Sequence, residues 1–157
     1  MKKKRVVIIS LLLLLVSVIG ISSYFLFKDK INLLDVDHSA VDWNGKKQKD
    51  TSGEENTIAI PGFEKVTLYA NETKQAVNFH NPEINDCYFK ISLIHPDGSV
   101  LWISDLIEPG KGMYSIELEK TLAVGEYENA VLKYECLSLN DQSPLNGSEI
   151  NLKLVVV

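Results

Sequence analysis

The sequence predicts an all-β sandwich preceded by one N-terminal transmembrane helix. Three observations predict it. An uncharged apolar run follows a basic start, apolar residues alternate with period two from residue 57 onward, and turn residues interrupt that alternation at short intervals.

The helix comes first. Residues 1–5 are a cytoplasmic basic segment holding Lys2, Lys3, Lys4 and Arg5, and residues 6–27 carry no charge. Those 22 residues make ~33 Å of helix at ~1.5 Å each, enough for a ~30 Å hydrocarbon core. The basic flank stays in the cytoplasm and sends the chain after Phe27 outside. The expected localisation is therefore the cell membrane, single pass, with the N-terminus cytoplasmic and the C-terminal domain extracellular. A cleaved signal peptide is the competing reading, with an apolar region of about 7–15 residues ending at small residues. Here Gly20, Ser22 and Ser23 are followed by more apolar sequence, so the expectation is a signal anchor.

Residues 28–56 read as an extracellular linker. "KKQKDTSGEEN" (46–56) is charged and lacks apolar periodicity, as a solvated segment does. In residues 31–43, Ile31, Leu34 and His38 share a helical face, so a short helix is the alternative to a plain tether. Beyond Phe27 there are 12 lysines against 21 carboxylates, a net of −9. That sign disfavours nucleic acid as a partner, because the sequence-independent attraction to phosphate is reversed.

Residues 57–157 form the domain. Short runs at 57–60, 65–70, 75–79, 87–93, 113–119 and 149–157 alternate apolar with polar residues, the mark of strands with one buried face. Cys87, Phe89, Ile91 and Leu93 share one side of their run, and Tyr114, Ile116 and Leu118 share one side of theirs. Ile150, Leu152, Leu154 and Val156 do the same. Pro96-Asp97-Gly98, the 108–112 segment, Val124-Gly125 and Asn146-Gly147 supply the turns.

Parity aims both cysteines inward. Cys87 lies with Phe89 and Ile91, and Cys136 with Ala130, Leu132 and Tyr134 on the 126–139 run. Neighbouring antiparallel strands, or facing strands of a sandwich, would bring them together. Outside the cell, a disulfide between Cys87 and Cys136 is expected. It would close a loop of about 50 residues, contributing ~3–4 kcal/mol. Two buried free thiols and a redox pair are the alternatives, although a redox pair favours Cys-x-x-Cys spacing.

Cys87, then Trp102, then "KYEC" with Tyr134 two residues before Cys136, resembles the pattern of immunoglobulin-like sandwiches. With the anchor, the chain is similar to small single-pass, membrane-anchored immunoglobulin-like surface proteins of Gram-positive bacteria. The resemblance covers residues 57–157 and implies an immunoglobulin-like antiparallel β-sandwich.

Trp102 has two readings. It fills the core, or one face of "SVLWIS" is exposed, making Leu101 and Ile103 the candidate interaction patch.

Chemistry-bearing patterns are sparse. His38, His80 and His95 have no zinc-site spacing. Asp35, Asp37, His38 and Asp42 could meet a cation but lack the glycine and terminal glutamate of a calcium loop. No nucleophile elbow or phosphate loop is present. No cofactor, metal or catalytic residue is expected, and the carboxylate pairs Glu117/Glu119 and Glu126/Glu128 read as solvated faces.

The expected function is a non-catalytic, membrane-tethered extracellular binding or structural module at the cell surface. Its partner would be a surface protein or wall polymer, met on a tether reaching ~100 Å if fully extended. The alternative is a small subunit of a membrane-spanning secretion, conjugation or pilus apparatus. There Ser10, Ser17 and Gly20 would make the helix itself an interface.

Overall fold

The computed structural model describes residues 33–45 and 57–157. The expected basic segment, the expected helix over 6–27 and the linker residues 28–32 and 46–56 lie outside these. Among the described residues, no helix is long and apolar enough to cross a membrane.

The described chain is all-β. Its strands are β1 (Val41–Asp42), β2 (Lys65–Leu68), β3 (Lys74–His80), β4 (Cys87–Ile94), β5 (Val100–Ile103), β6 (Lys111–Glu117), β7 (Gly125–Ser138) and β8 (Ser148–Val156). They form a three-stranded sheet in the order β1-β6-β3 and a five-stranded sheet in the order β2-β8-β7-β4-β5. The two inner faces share one core. Phe79, Met113 and Ile116 come from the small sheet, and Phe89, Ile91, Trp102, Leu132, Leu154 and others from the large one. Phe79 stacks on Trp102 across the layers, ring centroids 5.8 Å apart. This is a β-sandwich.

Period-two alternation explains most of the layering. In β4, Cys87, Phe89, Ile91 and Leu93 are buried, and each sits opposite β7 in unbroken antiparallel register from Cys87↔Ser138 to Ile94↔Val131. Alternate side chains point to opposite faces, so a fixed register fixes the buried set.

Three expectations are corrected. First, the sandwich is not antiparallel throughout. β2 runs parallel to β8, from Lys65↔Lys153 to Leu68↔Val156, because the chain enters alongside the last strand and then crosses to the other sheet. That crossing is clamped by buried Gln75, whose amide accepts from Tyr69 N (2.7 Å) and donates to the carbonyls of Tyr69 and Glu72 (2.8 Å each).

Second, Tyr114 does not share the inner face with Ile116. Met113 and Ile116 are buried and Tyr114 points outward. The register against β3 slips between Ala76 and Phe79, and a bulge of this kind re-aims the side chains around it.

Third, part of the expected linker is a strap on the sandwich, not a helix or a free tether. Leu106 N donates to Asp35 O (3.0 Å) and Asp37 N to Leu106 O (2.8 Å), attaching the strap beside the large sheet. Val41 and Asp42 then pair with Gly112 and Lys111 of β6 in the small sheet. The strap therefore joins both sheets along one open side. Asp37 and Asp42 are occupied within it: Asp37 accepts from Ser39 N and Asp105 N, and Asp42 pairs with Lys111 at 2.7 Å.

Candidate functional site

The outer face of β4, β7 and β8 carries the side chains that alternate away from the core. Lys90 lies opposite Glu135, and Lys133 opposite Glu149. Lys133 Nζ is 3.9 Å from Glu135 Oε1. Opposite charges directly across a ladder attract, which favours this register.

The loop 139–147 rises beside this face and turns it into a groove. Leu145 N donates to Cys136 O (2.8 Å), Ser138 N to Ser143 O (2.9 Å), and Gln142 N to Ser138 O (3.0 Å). Gly147 passes so close to the Tyr134 carbonyl that a Cβ there would collide with it. Gln142 has a left-handed backbone, φ 55°, uncommon for a residue with a Cβ. Its side chain grips the strap: Gln142 Oε1 accepts from Leu34 N (2.7 Å) and Nε2 donates to Leu34 O (2.9 Å). The resulting cavity, about 430 Å3, has Lys90, Lys133, Glu135 and Glu149 along the sheet and Leu34, Leu137, Pro144 and Leu145 along its rim.

A second constellation lies on the outer face of the small sheet. The Trp43 ring stacks on His80 (centroids 3.8 Å apart, planes 7° off parallel) and on Tyr114 (5.6 Å, 7°). The slot exists because position 112 is glycine: a Cβ there would lie 2.9 Å from the Trp43 ring and 3.1 Å from His80 Cβ. Trp43 N donates to Gly110 O (2.8 Å), and Tyr114 Oη donates to Asn44 Oδ1 (2.6 Å) while accepting from Asn44 N (3.1 Å). His80 is buried, and its Nδ1 has no hydrogen-bond partner. Burial lowers its pKa below 6.5, opposed in part by the Asn78 backbone.

The expected disulfide is not formed. Cys87 and Cys136 are free, buried thiols. Cys87 faces Ser138 and Cys136 faces Phe89, so the two are diagonal neighbours on paired strands. Diagonal positions lie ~7–8 Å apart, beyond the usual disulfide Cα range of about 4.4–6.8 Å. The neighbouring Cys87 thiol and then burial raise the Cys136 thiol pKa, and the neighbouring Cys136 thiol lowers that of Cys87.

The expected patch divides. Leu101 is fully buried, while Ile103 is 45% exposed. Glu119 N donates to Leu101 O (2.9 Å), so the 117–119 segment closes over the outer edge of β5 at that residue. Trp102 is in the core.

The groove lysines carry no signal in the sequence, since single charges on an outward strand face are ordinary. Trp43 did carry a signal: a lone large aromatic inside a polar stretch marks a segment with something to bury against.

No protein-family model matches the chain, and no curated protein matches it. Among solved structures, the chain is similar to CopC from Methylosinus trichosporium OB3b at 16% identity and a TM-score of 0.34. The match covers 61% of this chain and 86% of that one. A likeness this loose bears on neither topology nor function.

Proposed function

We propose that the chain is a non-catalytic, membrane-tethered extracellular binding module whose recognition surface is the groove beside β4, β7 and β8. The observation that carries this reading is the groove's make-up. Lys90, Lys133, Glu135 and Glu149 share an open cleft with Leu34, Leu137, Pro144 and Leu145. Such a mixture suits a protein loop or wall polymer that presents both charges with apolar surface between them. Nucleic acid is disfavoured by the 12 lysines and 21 carboxylates beyond residue 27. Groups that could carry chemistry are packed away instead: both thiols are buried, and His80 is stacked under Trp43.

The anchored reading rests on the uncharged 6–27 run behind its basic flank. The immunoglobulin-like reading draws its support from strand order. The last strand lies between a parallel β2 and antiparallel β7, with β4 and β5 beyond, and β3 pairs β6 in the facing sheet. Variable-type immunoglobulin domains extend their last-strand sheet in the same way. The cysteine motif supports it less, since Cys87 lies on β4, in the same sheet as Cys136, rather than across the sandwich.

The test is a pull-down from intact cells with lightly crosslinked full chain against a form starting at residue 33, read by mass spectrometry. The same partner is expected with both. Reversing Lys90 and Lys133 to Glu should cut its recovery by about tenfold. A partner seen only with the full chain would favour the apparatus-subunit reading instead.

A further inference from the structure

The end of the sandwich that bears loop 139–147 carries exposed apolar side chains, as the opposite end does at Val100, Val124 and Val157. Leu34 is 39% exposed, Leu139 37% and Leu145 44%. Leu34 and Leu145 line one rim of the groove, and Leu139 follows Ser138 in the turn that holds Gln142. Ile84, 60% exposed, sits in the loop entering β4, at the same end, because Cys87 of β4 lies opposite Ser138 of β7. The turn at residues 95–99 is at the other end of β4, an eight-residue strand and so ~25 Å away.

Chain length says what covers this end. Six residues separate Phe27, the last of the apolar run, from Leu34. Even fully extended they reach only about 25 Å, and Gln142 holds both backbone groups of Leu34 against loop 139–147. The strained backbone of Gln142 is the kind of feature a fold retains for a purpose. Its effect here is to tie the start of the domain to its leucine-bearing end.

Resting on the anchored reading above, we propose that Leu34, Leu139, Leu145 and Ile84 form a surface that lies against the phospholipid headgroup region of the membrane holding the chain. Few apolar side chains bind lipid weakly in free solution. A short tether raises the effective concentration to the order of mM, and a weak surface then stays seated. The contact is apolar, and Asp35 and Asp141 beside it would oppose anionic headgroups. The domain therefore lies low on the bilayer, with its groove opening close to the membrane, where a partner's membrane-adjacent segment would meet it.

The experiment uses the full chain in phosphatidylcholine vesicles, with a fluorophore at Asn146→Cys or, as control, at Pro96→Cys, and nitroxide-labelled lipid as quencher. Flotation is scored on the same samples. The expected result is that both forms float and that position 146 is quenched at least threefold more than position 96. The pair Leu139→Ser and Leu145→Ser should bring 146 down to the control level. Equal quenching at both positions in floating protein overturns the proposal and leaves the anchor intact. Protein that stays at the bottom of the gradient overturns the anchored reading and this proposal with it.

Discussion

His80 shows how one side chain can link stability to pH. Its ring lies under Trp43, is 6% exposed, and leaves Nδ1 without a partner. Burial disfavours the imidazolium, so the folded pKa lies below the unfolded 6.5. Between those two values the unfolded chain binds more protons than the folded one, and stability falls as pH falls. Urea midpoints should therefore drop as pH is lowered from 7.5 through 6.5 toward 5, and His80→Phe should flatten that slope. An unchanged slope in the variant would remove His80 as its source. The carboxylate of Asp97, held low chiefly by Ser99, acts only below the ordinary carboxylate range and leaves this window clear.

Among the elements, the strap has the least strand structure and the most specific fastening. β1 is two exposed residues, and its pair Asp42–Lys111 is a surface ion pair of small worth. What holds it is Trp43 between His80 and Tyr114, seated over Gly112. Gly112→Ala puts a methyl group 2.9 Å from the ring and 3.1 Å from Phe79 O. The neighbour above is a side chain on a loosely paired strand, so the strap should yield before the sheet does. Hydrogen exchange in residues 35–44 should rise at least tenfold, with β4 and β7 amides unchanged. Matching increases in β4 and β7 would show that the strap and the core open as one unit.

At the scale of the molecule, the strap joins the two sheets, and its removal should be felt by both. A chain starting at residue 57 loses the bonds at Leu106, at β6 and at Gln142 together. It should keep a strand-type circular dichroism spectrum but melt roughly 10 °C below a chain starting at residue 33, as a loss of ~2 kcal/mol would produce. Equal melting temperatures would make the strap an ornament. The outer edge of the large sheet is protected separately: Glu119 covers Leu101 of β5, a common way to blunt a pairing edge.

Alternation in β4, β7 and β8 determined which residues are buried, because a strand with one wet face can satisfy its sequence in only one phase. The all-β class, the main turns and the inward aim of both cysteines were legible for that reason. Phase was lost beside a bulge, as at Tyr114, since the extra residue lies on the paired strand β3 and leaves no mark in the sequence of β6. Pairing was also out of reach. Parity brings Cys87 and Cys136 to one face, but only the register makes them diagonal rather than bridged. The groove and the Trp43 slot depend on contacts between residues up to 108 positions apart, such as Leu34 with Gln142. Local periodicity carries no information at that range, so only the tertiary structure could assemble them.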